Sequence, residues 1–428
     1  MDITTTIAAK SRVPHWVMVQ CETGSSPSCD AQRVDAVRVQ GSRDVFIRYE
    51  ALDDELNDGN TVARVRVIKG GVHDPKDVIV QLSTAEGLLT LDVTASKKTI
   101  EVVLLQKDQL QRVESRGSGD VVVEDNVLAT IGTSLSIAVL GSDDVYATTT
   151  ETVQMDTLTL SSKGSGRLQA SFAELRVSKL QVQSYASGDV AVFVESDSET
   201  DNLSIVAEGP GDACLNWGAA MSVNQFMVQQ VGAGDLSVGP RGSCHAAKLS
   251  MQGSGQLDVG GVKCDNVDVD LVGSGDVIVQ AANSLAVDGY GTGDVKFAGQ
   301  PPHAFTSSGY RRLSPIPVES SYLPASCKRH KTPVIKAKYA SLSGGVLTST
   351  SPGNVGVELD SAESSSSVAV GTDAVGIVWS SMDRDKENIV PLAAVVFLVG
   401  MVLRWFNNSR RRAREEQRQP LLRAQRRV

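Results

Sequence analysis

Six aspartates set the chemical question. Asp120, Asp189, Asp212, Asp235, Asp276 and Asp294 each close a four-residue unit of the form GSGD, ASGD, GPGD, GAGD or GTGD. Stacked on neighbouring copies, such carboxylates would repel one another, and a divalent cation would relieve that repulsion. Calcium sites draw several oxygens from close spacing, whereas each unit offers a single carboxylate. The competing reading is that each Asp bonds the amides of its own turn and leaves its charge in water. The six are therefore weak metal candidates and turn residues first.

Polysaccharide cleavage is the second chemistry to weigh. It needs paired carboxylates on one exposed face, one of them a general acid. An Asp that recurs in nearly every copy behaves as a structural residue instead. The five His (15, 73, 245, 303 and 330) are scattered, no two within five residues. His245 beside Cys244 reads as a surface turn pair. No GxGxxG precedes a helix and no P-loop Lys follows a glycine turn, so phosphate binding is excluded. Six Cys (21, 29, 214, 244, 264 and 327) form no CxxC, which argues against a metal site and is too few for a disulfide framework. No catalytic residue, cofactor or enzyme activity is assigned.

The elements that position these residues are repeated. Nine units end at 120, 144, 167, 189, 212, 235, 256, 276 and 294, with spacings falling from 24 to 18 residues. One position after the unit stand Val121, Val145, Leu168, Val190, Ala213, Leu236, Leu257, Val277 and Val295. Three positions after it stand Val123, Ala147, Ala170, Val192, Leu215, Val238, Val259, Val279 and Phe297. All eighteen are apolar, and the position between them is mixed. That period of two is a strand with one buried face. A unit of about 22 residues cannot bury its own apolar face and must stack on its copies.

The fold class is all-β: a repeat-built, parallel β-helix-like domain of one continuous core over residues 33–302, with glycine-aspartate turns from 117. The rival is a β-meander or sandwich in which GSGD is a hairpin turn. Residues 41–44 (GSRD) are a degenerate first unit. Aromatic residues are only 4% of the chain, so the core rests on Val, Leu, Ile and Ala. In adjacent coils, Cys244 lies nine residues after Asp235 and Cys264 eight after Gln256, within disulfide reach of one another.

A first segment of the form V-x-V-x-G-x-x-x-V, then L-x-L-x-V, then VVLLQKDQLQRVESRGSGDVVV and serial GSGD turns ending in GTGDVKFAGQPP, resembles the putative auto-transporter adhesin head GIN domain family. The resemblance runs from Val34 to Pro302. It implies a β-helical, surface-associated domain and carries over no catalytic residue. Asp143, Arg167, Pro210 and Gln256 depart from the unit.

Outside the repeat the chain changes character. Residues 1–32 read as a poorly ordered segment whose apolar stretches are too short for a signal h-region. Residues 303–388, rich in Pro and Ser, read as a stalk or linker, of which 332–346 could cap the last coil. Residues 389–406 read as one transmembrane helix, with Ile389, Leu392, Val395, Phe397, Leu398, Val402 and Trp405 facing lipid. Residues 407–428 form an Arg-rich tail. From Arg404 onward the net charge is +7, leaving −16 on the body of a chain whose total is −9. Arg404, Arg410, Arg411 and Arg412 place the C-terminus in the cytosol and the β-domain outside or in a lumen. A tail anchor with a cytosolic body is the other topology. Net acidity excludes the chain as a nucleic-acid binder. The expectation is a single-pass, membrane-anchored, non-enzymatic protein for adhesion, recognition or surface structure. Its partners would be membrane lipid and an extracellular protein or glycan. A carbohydrate-active enzyme and a cytosolic scaffold are the opposing classes. Asn202-Leu203-Ser204 is a glycosylation sequon.

Overall fold

In the computed structural model the described residues are 16–20, 33–51, 61–67, 78–83, 86–93, 99–309, 315–319, 321–324, 326–335, 339–343 and 346–350. All lie in the unit Met1–Val355; the unit Gly356–Val428 is outside them. Among the described residues every regular element is a strand. None is a helix long and apolar enough to cross a membrane. The expected anchor at 389–406 and its flanking arginines lie outside the described residues.

The repeats form a β-solenoid, and hairpin pairing of the GSGD units is excluded. Every glycine-turn strand pairs in parallel with its equivalent one coil away: Val145 with Leu168, Leu168 with Val190, Val190 with Ala213, Ala213 with Leu236. The ladder continues through Leu257 and Val277 to Val295. Residues of this row are at most 1% exposed, as the period of two requires. Phe297, at the last coil, is only half-buried. The strands preceding the turns build a second parallel ladder, in which Leu158, Leu180, Leu203 and Phe226 follow one another inside the core.

Glycine is required at the turn because the coils approach there through their backbones. A Cβ on Gly253 would collide with the Gly232 carbonyl, and Gly253 has φ +147°, a region that side chains disfavour. The degenerate unit obeys the same rule. Gly41 has φ +110°, and a Cβ on Gly117 would meet its carbonyl oxygen.

At the N-terminal end, stacking order departs from chain order. Here β1 is Trp16–Gln20, β2 Ala36–Gly41, β3 Val45–Tyr49, β4 Thr61–Val67 and β5 Val78–Ser83. They are followed by β6 Leu88–Val93, β7 Ile100–Leu104, β8 Arg112–Ser115 and β9 Val121–Val123. The coil β2–β3 lies between coil β6–β7 and coil β8–β9, pairing in parallel with both. The outer coil is closed by antiparallel strands, β5 on β6, β4 on β7 and β1 on β4. Antiparallel closure covers strand edges that an open parallel stack would leave unpaired.

Candidate functional site

The turn aspartates are committed to holding neighbouring coils together. Asp189 Oδ1 accepts the Asp212 amide at 3.0 Å, Asp212 Oδ1 the Asp235 amide at 2.8 Å, and Asp235 Oδ1 the Gln256 amide at 2.8 Å. Asp276 Oδ1 accepts the Asp294 amide at 3.0 Å, and its other oxygen accepts Lys296 Nζ at 2.7 Å. The Asp120 amide donates to Asp44 Oδ1 at 3.2 Å. The acceptor therefore serves the next coil's turn, where the sequence suggested the residue's own turn. One amide per carboxylate at these steps explains why most units end in Asp; the units ending in Arg167 and Gln256 offer the next turn no carboxylate. Burial pushes the Asp276 carboxyl upward, but the Lys296 ammonium and the Asp294 amide outweigh it, so the net shift is downward. Among the described residues no group of three His, Cys, Asp or Glu is arranged to hold a metal.

The GSDD unit breaks this pattern. Asp143 occupies the second glycine position, is 1% exposed, and has no full hydrogen bond to either carboxylate oxygen. Burial, with Asp144 and Asp120 adding repulsion, raises its pKa to about 6. Asp120 is also raised, by burial and then by Asp144 and Asp44.

Residues 321–324 and 326–335 form a strap across the outward face of the glycine-turn sheet. The Tyr322 hydroxyl donates to Asp258 Oδ1 at 2.7 Å. Burial and that hydrogen bond raise the Tyr322 pKa. Cys327 is disulfide-bonded to Cys214, with Cα atoms 5.5 Å apart. Arg329 lies 4.4 Å over the Phe193 ring and pairs with Glu195 at 2.6 Å. Gln169 exchanges two hydrogen bonds with the His330 backbone, at 2.7 and 3.0 Å. Ile335 packs on Phe46, Val122 and Tyr146. These contacts place Ile335 against the first coils, not the last one. Burial and the nearby Arg167 and Lys328 lower the His330 pKa. The Cys214–Cys327 bond was not expected from the repeat. Its signal was Cys214 in the mixed row between two buried ones.

Cys244 and Cys264 face each other in register and are bonded, their Cα atoms 4.3 Å apart, as the unit spacing predicts. They sit under the second corner of the solenoid. There each coil has two residues, not one, between consecutive buried positions, such as Met155 and Leu158, Val177 and Leu180, or Val223 and Phe226. Two successive outward residues turn the chain and drop out of the strict ladder.

Two rows of outward side chains follow from that geometry. Gln154, Arg176, Glu199, Ser222, Ser243 and Lys263 are in register from coil to coil. Beside them run Asp156, Ser178, Asp201, Asn224, His245 and Asp265. The rows border two open hollows of about 560 and 500 Å³ that share Glu199, Thr200 and Asp201, so they form one groove. His245 Nδ1 lies 3.0 Å from Asp265 Oδ2, and Arg176 pairs with Glu174. Within the described residues no hydrogen bond or ion pair engages the side chains of Gln154, Asp156, Glu199, Asp201, Asn224 or Lys263.

The glycine turns and their parallel stacking now bear on family. Residues 186–301 match the family of the putative auto-transporter adhesin, head GIN domain. The matched segment runs through the last six glycine turns and contains two thirds of the residues of the two rows, from Glu199 onward. A crystal structure of a putative adhesin from Bacteroides fragilis NCTC 9343 is similar at 14% identity and TM-score 0.25, over 71% of this chain and 97% of that one. A putative lipid binding protein from Parabacteroides distasonis ATCC 8503 is similar at 13% identity and TM-score 0.31, over 72% and 98%. At those TM-scores neither likeness carries an argument. No curated protein matches the sequence.

Proposed function

We propose that the chain is a non-enzymatic recognition protein, anchored by residues 389–406, whose solenoid stands on the oxidising side of the membrane. The groove along the second corner is the observation that carries the recognition reading. Six of its polar side chains, Gln154, Asp156, Glu199, Asp201, Asn224 and Lys263, lack partners within the described residues, whereas the turn carboxylates are spent on amides of the next coil. Ordered, unpartnered polar rows cost nothing in water and are available to a ligand. The two disulfides, Cys214–Cys327 and Cys244–Cys264, support the oxidising side, because the cytosol keeps such pairs reduced. Head GIN similarity over residues 186–301 agrees with a surface role.

The groove's acidic residues favour one second reading, a carbohydrate-active enzyme. Glu199 and Asp201 are open to solvent, without the apolar enclosure that makes a carboxyl a general acid. Differential alkylation tests the placement. In cells expressing the full chain, Cys214, Cys244, Cys264 and Cys327 should stay unmodified until a reductant is added, and the protein should resist carbonate extraction. Four free thiols would instead favour the cytosolic scaffold.

A further inference from the structure

We infer that the Cys214–Cys327 bond is a redox latch: a dithiol reductant opens it selectively, the downstream part of the strap swings away, and an apolar face of the solenoid is uncovered. The inference rests on the geometry of the strap and not on the recognition reading above.

The two disulfides are placed differently. Cys244 and Cys264 are 6% and 2% exposed and stand inside a parallel ladder, with Val223 on one side and Ala281 on the other. No thiol reaches them unless the coils part. Cys214 and Cys327 are only half-buried, and Cys327 belongs to the strap and not to the ladder. Disulfide exchange needs access to one sulfur and a good leaving thiolate at the other. Lys328, exposed beside Cys327, attracts an incoming thiolate. The Ser237 hydroxyl donates to Cys214 Sγ at 3.0 Å and stabilises that sulfur as it leaves.

The exchange runs in two steps. One thiolate of the dithiol attacks Cys327 Sγ, the bond to Cys214 breaks, and Cys214 leaves as a thiolate. The second thiolate of the dithiol then attacks the reductant's own sulfur in the mixed disulfide, and Cys327 leaves. Two electrons have passed to the protein, the reductant ends as a disulfide, and its two protons are taken up by Cys214 and Cys327.

Beyond the disulfide, little holds the downstream strap. None of its described residues is buried. The Arg329–Glu195 pair is exposed on both sides, and such pairs contribute little. The upstream end is held more firmly. Tyr322 bonds the buried Asp258, and Gly260 and Gly261 leave room for Tyr322 and Pro324, which a Cβ at either position would crowd. Residues 326–335 therefore swing about the Tyr322 end. Beneath them lie the outward side chains of Phe46, Val122, Tyr146 and Phe193, each at most 6% exposed while the strap is closed. Opening bares all four.

The test uses the purified full chain, with dithiothreitol as the dithiol. Thiols are trapped by alkylation at intervals and located by mass spectrometry. Cys214 and Cys327 should appear together, and about tenfold or more faster than Cys244 and Cys264, since exchange follows access. After the reductant is removed, the alkylated protein should be cut faster by trypsin at Lys328, Arg329 or Lys331. Hydroxyl-radical footprinting should label Phe46, Tyr146 and Phe193 more strongly than in the oxidised protein. Reoxidation without alkylation should restore the oxidised pattern. Ser237→Ala should slow reduction of Cys214–Cys327 about threefold or more, because a hydrogen bond to the leaving thiolate is lost. Equal reduction rates for the two disulfides would overturn the latch, as would earlier reduction of Cys244–Cys264. So would reduction of Cys214–Cys327 with no gain in cleavage or labelling, or failure to reclose. An unchanged rate in Ser237→Ala would overturn the assignment of Cys214 as the leaving sulfur. Free thiols in the alkylation of cells would overturn the oxidising placement and leave the latch standing.

Discussion

Two outward faces of the same solenoid differ in what covers them. On the glycine-turn sheet, the outward residues Phe46, Val122, Tyr146, Gln169, Cys214 and Asp258 lie under the strap. At the second corner, the outward row from Gln154 to Lys263 lies open. In sequence both are mixed in polarity. The covered row is matched by the strap in reverse chain order: Asp258 by Tyr322, Cys214 by Cys327, Gln169 by His330, Tyr146 by Ile335. The distances agree with an extended strap. From Cys327 to His330 three residues cover about 10 Å, as do the two coils between Cys214 and Gln169. Mixed polarity in an outward row therefore records a specific partner on one face and availability on the other.

The largest effect should come from neither face but from the row that both protect. Val190→Asp places an unpaired charge where the side chain is 1% exposed and stacked between Leu168 and Ala213. It should lower stability by roughly 3 kcal/mol or more. A melting temperature equal to that of the parent would mean that the inner and outer rows have been exchanged.

Asp143→Gly should act in the opposite direction. It removes a buried carboxylate with no full hydrogen bond and restores the glycine found in other units. Folded Asp143 titrates near pH 6 against 3.8 for the ordinary group, so folding favours its protonated form. The penalty is absent below about pH 4, grows as pH rises through 6, and is constant above 7. The variant should therefore gain about 2 kcal/mol at pH 7.5, the carboxylate penalty less the entropic cost of glycine. That gain should vanish near pH 4. A gain independent of pH would point to packing instead of charge.

The repeat, its period of two and the buried rows were legible because each residue type recurs in nine copies. Gly41 to Asp44 could be assigned as a first unit by the same token. The Cys244–Cys264 pair followed from unit spacing alone. Three things were not legible. The strap joins residues more than a hundred positions apart, as Cys214 and Cys327 do, and it lacks the periodicity that makes repeats visible. Insertion of coil β2–β3 between β6–β7 and β8–β9 is a choice of stacking order that no local pattern encodes. The direction of the aspartate bonds, toward the next coil, depends on coil offset and not on the unit itself. At the groove, the i, i+3 spacing of Met155 and Leu158 was present, but only the repeated corner shows that it turns the chain.

Cys327→Ser separates the strap from the solenoid. The bond closes a loop of 113 residues, yet the coils beneath it are held by their own ladders. The effect should be local opening, not global unfolding. Trypsin should cut at Lys328, Arg329 or Lys331 at least tenfold faster than in the parent. The main melting transition should fall by about 1 kcal/mol or less, since the contacts of Tyr322 and Ile335 remain. If cleavage is unchanged, the polar contacts suffice and the disulfide is redundant. If the solenoid melts with the strap, the covered face is part of the core.

The smallest effect tests the comparison most directly. Gln169→Ala and Asn224→Ala each truncate an outward amide on a parallel coil, one beneath the strap and one in the groove. Gln169 is 4% exposed and makes two hydrogen bonds to His330, so its loss leaves a half-buried amide and carbonyl of the strap without their protein partners. That should cost about 1 to 2 kcal/mol. Asn224 is exposed and has no partner, so its truncation should stay within about 0.5 kcal/mol. Measured by chemical denaturation at fixed pH, the two values should differ by at least twofold, and only Gln169→Ala should also speed trypsin cleavage of the strap. Equal costs with cleavage unchanged would mean that the strap contributes nothing to the face it covers. The groove would then no longer be distinguished by being open.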